Sequence, residues 1–428
     1  MKNVILGGMK AALDPAIELL GVVDMLGPGR KAPLAGRERS YAAALERACG
    51  SLRTHPAVTL NARLDKSDRD FFQRKTLLLM RSAPPSLEFD PALEASKGEA
   101  ERSGAWEPWL AALRDFARAS RFPAALGRAA RLLKPDLDAF NARLARTDYA
   151  AVIERYAGLP YAGGYRIVYS PLCSRGRHLN RVWTRDDGRH DIVSVLEQDS
   201  LHGADPNDHS LDAVIWHELG HGVLDMTVNL HDCEQGNAPL SLGPRLADNC
   251  RNWLHGMREH FVRAVMLRLI ARERGEAAAA KEYAHEEFSA KPHLAAFLKK
   301  LKEYESSRKS FPNIAVFYPR LREVFPRAAA VRPAPAIDDG RDSWHDALRR
   351  LAGPFYTKAQ RVRAVAHLDL MLEGGRDERL LLRRAALNAL LENSVRVAED
   401  ASALIAKRSK ADPVVVAWGQ MLLKKARA

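Results

Sequence analysis

The chain has 428 residues, of which 46% are hydrophobic and 28% are charged, and its formal net charge is +13. This composition excludes an intrinsically disordered chain and leaves room for two or three domains with their own cores. The positive charge is spread along helices rich in alanine, leucine and arginine, without a basic patch that carries interleaved aromatic residues. It therefore favours a solvated, arginine-rich surface, and no nucleic-acid partner is predicted.

The cysteines and the N-terminus indicate the cellular compartment in which the protein is expected. The four cysteines contain no Cys-x-x-Cys pair and do not predict a disulfide framework in a chain of this length. The first residues form only a short apolar stretch before Lys10, which falls short of a secretory segment, and no later stretch approaches a transmembrane span. We therefore predict a cytoplasmic protein, or an exported, periplasmic one if the true start lies upstream.

Residues 1–157 are predicted to form a helical N-terminal region. Asp14-Pro15 opens its first helix, because proline is favoured at a helix start and apolar residues follow as far as Leu26. Proline and glycine residues separate the later helical patterns from one another. These patterns predict helices at roughly 38–50, 67–81, 107–119, 123–133 and 136–157.

The pattern changes in residues 158–327, where we predict the functional core. Tyr165–Tyr169 is a short run of β-branched and aromatic residues, which is typical of a strand. Asn180–Thr184, a turn at Asp186–Gly188 and a second run at 190–197 together predict a hairpin. We therefore expect a small antiparallel sheet immediately before the next helix.

Helices dominate the remainder of the predicted core and the C-terminal part. One helix is predicted from about Ser210 to Thr227, and a long one from about Asn249 to Arg274, because Gly275 suits the position just after a helix. Residues 328–342 contain prolines, aspartates and a glycine and predict a linker. Residues 343–428 are predicted to be a helical C-terminal extension. The expected fold class is therefore α+β, mainly α.

One motif in the core carries chemistry. Val214–Val223 contains His217-Glu218-x-x-His221 between uncharged flanks, and a chain of this composition would contain roughly 0.06 such motifs by chance. On a helix, His217 and His221 lie one turn apart on the same face and can direct two imidazoles at one zinc ion. Glu218 is rotated about 100° from His217, where a base for a zinc-bound water belongs. The motif predicts a zinc hydrolase rather than an ordinary amphipathic helix.

A catalytic zinc ion usually takes a third protein ligand and leaves one position for water. Glu259 lies on the long helix among largely apolar positions, where an unpaired carboxylate would be costly to bury. The segment after His221 is long enough for a loop and a returning helix, so Glu259 is the favoured ligand. A surface ion pair between Glu259 and Arg263 is the alternative. Other histidines that remain open as ligands are His231, His255 and His260.

The motif helix resembles the active-site helix of thermolysin-like gluzincins, including Asp225 after the second histidine. More widely, the chain resembles an uncharacterised bacterial family of domain-of-unknown-function proteins, regarded as predicted gluzincin-type metallopeptidases. The resemblance covers roughly residues 9–325. It rests on the order of four weak motifs: Asp14–Leu20, His55–Val58, the zinc helix, and Glu-x-x-x-Arg-Ala at Glu259–Ala264.

This resemblance implies a zincin-like core, with Zn²⁺ held by His217, His221 and Glu259. It implies a metallopeptidase that hydrolyses a peptide or protein substrate through a zinc-activated water, with Glu218 as the general base. Tyr318, in an aromatic segment after the ligand helix, is a candidate donor to the oxyanion, although a packed aromatic side chain fits that position equally well. Two alternatives remain open: a scaffold or partner-binding protein with a structural zinc ion, and a zinc amidase that acts on cell-wall peptides.

Overall fold

The structure is a computed structural model of the whole chain. The residues that it describes are 9–28, 34–65, 68–96, 106–160, 163–172, 179–185, 190–196, 210–232, 253–284, 293–325, 358–373 and 377–392, with Leu348, Ala352, Phe355 and Ser394. These residues form a mainly helical α+β protein with a small sheet, in agreement with the predicted class. No helix in the described ranges combines the length and the apolar character that a bilayer crossing requires.

The described residues from Asp14 to Ala157 are mainly helical. Their helices, in chain order, are α1 (Pro15–Leu26), α2 (Gly36–Cys49), α3 (Pro56–Leu64), α4 (Asp68–Leu79), α5 (Trp106–Ala119), α6 (Phe122–Leu144) and α7 (Tyr149–Ala157). α1 begins where the sequence predicts, because Asp14 Oδ1 accepts hydrogen bonds from the backbone N–H groups of Ala16 at 2.9 Å and Ile17 at 3.1 Å. Its apolar side chains are buried and form the centre of the core around it.

The predicted division of α6 into two helices is wrong. α6 continues through Pro135, which removes one N–H donor and usually costs about 3 kcal/mol inside a helix. Burial on both sides of the proline offsets that cost, since Leu133, Phe140 and Leu144 are all in the core. The chain instead leaves the helix after Leu144, and α7 starts at Tyr149.

α3 was not among the predicted helices. Its N-cap is His55, whose ring Nδ1 accepts a hydrogen bond from the backbone N–H of Ala57 at 3.1 Å. Histidine is not one of the residues that usually mark a helix start, which are serine, threonine, aspartate and asparagine. A search for those caps therefore passes over α3, and only Pro56 at its first position is a conventional signal.

The sheet is mixed, so the expectation of an antiparallel sheet is wrong. Its strands are β1 (Ala11–Ala12), β2 (Gly164–Tyr169), β3 (Leu179–Thr184) and β4 (His190–Leu196), in the spatial order β1-β2-β4-β3. The predicted β3–β4 hairpin is confirmed and is antiparallel, whereas β2 pairs with both β1 and β4 in parallel. The hairpin reverses the chain between β3 and β4, so that β4 runs in the same direction as β2. β4 lies next to β2, and β3 lies on the other side of β4. The predicted turn at Asp186–Gly188 lies outside the described residues.

The helices after the sheet are α8 (Ser210–Asp232), α9 (Trp253–Arg274), α10 (Glu276–Tyr283), α11 (Leu294–Ser306), α12 (Ile314–Arg322), α13 (Lys358–Glu373) and α14 (Glu378–Glu392). α8 is longer than predicted, and α9 ends at Arg274 as predicted. The next residue, Gly275, has φ +97°, which only glycine adopts readily. The predicted linker at 328–342, the predicted start of α9 at Asn249 and the chain after Ser394 lie outside the described residues.

The chain forms two compact units. The first contains Met1–Ala150 and Ala162–Leu219, and the second contains Ala151–Tyr161 and Gly220–Ala428. This division falls inside α8, between Leu219 and Gly220. It differs from the sequence-based division, which placed α8 and the sheet together in one core of residues 158–327.

A buried carboxylate lies at the centre of the first unit. Glu18, on α1, is fully buried, and its two oxygens accept hydrogen bonds from the hydroxyls of Tyr41 at 2.6 Å and Ser170 at 2.5 Å. Burial raises the pKa of Glu18 to about 7, against the opposing effects of Ser170, Tyr41 and the nearby Lys75. The carboxyl of Glu18 therefore changes its charge near neutral pH.

We expect Glu18 to make the fold less stable as the pH rises from about 4.5 to 7. Over this range the folded chain holds the Glu18 proton that the unfolded chain has released, so the free energy of unfolding falls by roughly 3 kcal/mol. In Glu18→Gln this contribution disappears, and the difference in unfolding free energy between pH 5 and pH 8, measured with urea, should shrink by that amount. Glu88→Gln, at an exposed position, is the control. An unchanged pH dependence in Glu18→Gln would contradict this prediction.

Candidate metal centre

α8 carries the His-Glu-x-x-His motif in the middle of a continuous helix of 23 residues. The first turns of α8 are anchored by Tyr149, whose hydroxyl donates to Asp212 and whose ring packs against Trp216 with centroids 5.3 Å apart. Because the helix is unbroken, His217 and His221 lie on one face, one turn apart. Both imidazoles are partly buried, and Glu218 is only 5% exposed.

α9 brings Glu259 to the second histidine. The distance from Glu259 Oε1 to His221 Nε2 is 3.4 Å, and the two side chains are 15% and 16% exposed. Gly220 permits this approach, since a Cβ atom built on it would lie 2.8 Å from Cγ1 of Val262 on α9. The glycine inside α8 therefore has a packing reason that offsets its cost of about 1 kcal/mol in a helix interior.

The three predicted ligands come together in the structure. The ligand atoms of His217, His221 and Glu259 all lie within 4.8 Å of one another, and no other group of this kind is found in the described part of the chain. A tetrahedral ion with bonds of about 2.0–2.1 Å needs ligand atoms about 3.4 Å apart, which is the distance between His221 and Glu259. Two imidazoles and one carboxylate are also the donor set of several catalytic zinc sites. The residues fit a zinc ion.

Asp225 orients His221. Its Oδ1 lies 3.1 Å from His221 Nδ1, and a carboxylate can only accept a hydrogen bond, so Nδ1 carries the proton. When the ring is neutral, its lone pair is therefore on Nε2, the nitrogen that faces Glu259. Burial acts to lower the pKa of His221, but the charges and hydrogen bonds of Asp225 and Glu259 outweigh it, and the net pKa is well above 6.5.

Glu259 pairs with Arg263 and also faces His221. Its Oε2 accepts a hydrogen bond from Arg263 Nε at 3.2 Å, which is the predicted i,i+4 ion pair. Its Oε1 faces His221. Arg263 therefore holds one oxygen of the carboxylate while the other remains directed at the histidine.

Of the three histidines that remained open as ligands, two have other contacts and one, His255, lies beside the His-His-Glu group. The ring of His231 stacks on Tyr318 with centroids 5.0 Å apart, and its Nε2 lies 3.2 Å from the carbonyl oxygen of Ala315. His260 is fully buried with its Nδ1 2.7 Å from the Gly256 carbonyl. Only His255 is near the group, with its Nε2 3.8 Å from Glu259 Oε1, and its side chain is 45% exposed.

Tyr318 is engaged in a buried network. It has no exposed surface, and its hydroxyl donates to Asp232 Oδ2 at 2.6 Å. Burial raises its pKa well above 10, and the charge of Asp232 raises it further. This geometry gives no support to the predicted role of Tyr318 as a donor to an oxyanion.

The Asp232 network is a feature that sequence reasoning missed. Besides Tyr318, Asp232 accepts a hydrogen bond from Trp253 Nε1 at 2.9 Å and pairs with Arg322 Nε at 2.9 Å. Asp232 is the last residue of α8 and Trp253 is the first of α9, so the network joins the ends of the two metal-site helices. A signal was present, because an aspartate at the C-terminal end of a helix opposes the helix dipole and needs a compensating partner.

Fold and site together define a mainly helical protein with a His-His-Glu group carried by two successive long helices. The family described as "Domain of unknown function (DUF4932)" matches residues 79–324, which is more than half of the chain. The chain therefore belongs to the DUF4932 family, and the matched region contains the whole candidate metal centre. Comparisons with curated proteins and with solved structures give no match.

Proposed function

We propose that the protein is a zinc-dependent hydrolase that cleaves peptide bonds and that its site is a zincin-like core. One observation carries the proposal: two histidines one turn apart on α8 and a glutamate from α9 form a three-ligand group beside Glu218. The family adds no activity to this argument, because it is defined as a domain of unknown function.

The number of ligands favours a catalytic ion over a structural one. Structural zinc ions are usually enclosed by four protein ligands, whereas catalytic ions have three and keep one position for water or substrate. Within the described residues the group stops at three, and His255 is not a member of it. The ligand set also argues against magnesium or calcium, which prefer oxygen ligands alone.

In this proposal each polar side chain of the site has a defined role in catalysis or in orienting a ligand. Bound zinc would lower the pKa of a water molecule towards 7 and polarise the substrate carbonyl. Glu218, adjacent to His217 and about 100° further round α8, accepts the proton of the attacking water and delivers it to the leaving amine. Asp225 keeps Nε2 of His221 available, and Arg263 fixes the carboxylate of Glu259.

The proposal is tested by metal analysis and a peptide digest of the purified full chain. We expect about one zinc ion per chain, and cleavage of a peptide library that stops when a chelator removes the zinc and resumes when zinc is returned. The double variant His217→Ala/His221→Ala should contain no zinc and cleave nothing. Zinc in the protein without any cleavage would favour the scaffold, and cleavage restricted to cell-wall stem peptides would favour the amidase.

A further inference from the structure

A cavity of about 320 Å³ lies in the second unit, where α7, α9 and α11 meet. This volume is at the lower end of the range for sites that bind small molecules. Tyr156 and Tyr304 line it with buried aromatic rings. Three arginines also line it: Arg155 from α7, Arg272 from α9 and Arg308 from the segment after α11. None of these residues belongs to the candidate metal centre.

The positive charge of this cavity is not balanced by its own carboxylates. Glu305 also lines it, but both of its oxygens are bound by Arg268, at 2.8 and 2.9 Å, and Tyr156 donates to it as well. Among the residues that the structure describes, no carboxylate pairs with Arg155, Arg272 or Arg308. Glu273 is the other acidic side chain at the cavity, and it is exposed to solvent. Three arginines therefore line the cavity with one carboxylate beside them that is unpaired within the described residues.

Two of the three guanidinium groups are held in place by aromatic and backbone contacts. Arg308 Nη1 donates to the backbone carbonyl of Tyr156 at 2.6 Å, and its Cζ lies 4.6 Å from the centre of the Tyr304 ring. Arg272 lies over the ring of Tyr156 at 5.7 Å. Burial lowers the pKa of Arg308, and the neighbouring positive charge of Arg272 lowers it further. A bound anion would relieve this repulsion, since the arginines are already gathered.

We propose that this cavity binds the phosphoryl group of a small phosphorylated molecule. Each guanidinium presents a planar fork of N–H donors that matches two oxygens of one anion. A single carboxylate has two oxygens and cannot satisfy three such forks, whereas a phosphate or pyrophosphate group has enough oxygens for all of them. The tyrosine rings beside the arginines leave an apolar wall for the rest of the molecule.

The test is calorimetric titration of the full chain with pyrophosphate at fixed ionic strength. We expect saturable binding, and Arg155→Ala and Arg272→Ala, which remove exposed side chains, should each weaken it about tenfold through lost charge-assisted hydrogen bonds. Arg272→Lys should keep only part of the affinity, because lysine has the charge without the fork. Arg128→Ala removes an exposed arginine of the first unit and should leave the affinity unchanged.

Three results would overturn the site: absence of saturable binding, binding by Arg155→Ala and Arg272→Ala that is as tight as that of the wild type, or binding of succinate and sulfate that is as tight as that of pyrophosphate. The last result would mean that any anion is accepted. Glu218→Gln should bind pyrophosphate as the wild type does, so this proposal and the proposed hydrolysis can fail separately.

Discussion

Glu218→Gln is expected to lower peptide cleavage by about 10²–10⁴-fold, the range that a positioned general base contributes. Glutamine has nearly the same shape as glutamate but cannot accept the proton of the attacking water. Because Glu218 is not one of the three ligands, the variant should retain its zinc. Turnover of a cleaved library peptide and the zinc content of the same sample measure the two effects together.

The control for Glu218→Gln is Glu273→Gln, the same substitution at an exposed glutamate of α9. It should change neither zinc content nor turnover. Melting temperatures of both variants report whether the fold is intact, since Glu218 is buried and its replacement can disturb packing. Wild-type turnover in a folded, zinc-loaded Glu218→Gln protein would exclude Glu218 as the base.

Glu259→Ala is expected to have the second largest effect, which is loss of zinc. It removes one of three ligands, so the affinity for zinc should fall by more than the 10–100-fold that follows loss of a residue that only orients a ligand. Asp225→Ala provides that comparison, because Asp225 contacts His221 Nδ1 and is not a ligand itself. Competition with a chromogenic zinc chelator measures both affinities.

The order of the two effects is the informative result. Glu273→Ala, on the same helix as Glu259, should leave zinc affinity at the wild-type value and controls for the loss of a carboxylate from α9. If Glu259→Ala binds zinc as tightly as the wild type, the carboxylate serves only as the partner of Arg263, and the ligand set is different. If Asp225→Ala has the larger effect, the assignment of ligand and orienting residue is reversed.

The features that could be predicted from the sequence are local ones. The spacing of His217 and His221 determines that they share a helix face, because the helical repeat depends only on residues one turn apart. Asp14 caps α1 and Gly275 follows α9 for similar reasons, since caps and positive φ angles depend on near neighbours. The β3–β4 hairpin is also a local contact.

Apart from α3, whose unusual histidine cap is a local feature, the features that were predicted wrongly or missed depend on residues far apart in the chain. β2 pairs with β4 in parallel because β4, and not β3, lies next to β2 in the sheet. Pro135 is tolerated because the burial of other side chains of α6 offsets its cost. The hydrogen bond between Tyr318 and Asp232 joins side chains 86 residues apart, a separation over which no periodic pattern carries information.

The candidate metal centre also combines features that are local in the sequence with features that depend on tertiary packing. The sequence by itself determined the two imidazoles and the position of Glu218 beside them, because a single helix sets their relative geometry. Only the tertiary structure decided that Glu259 faces His221 at 3.4 Å, since that distance depends on how closely α8 and α9 pack. Gly220 is what permits the close packing, and its effect becomes visible only when Val262 is opposite it.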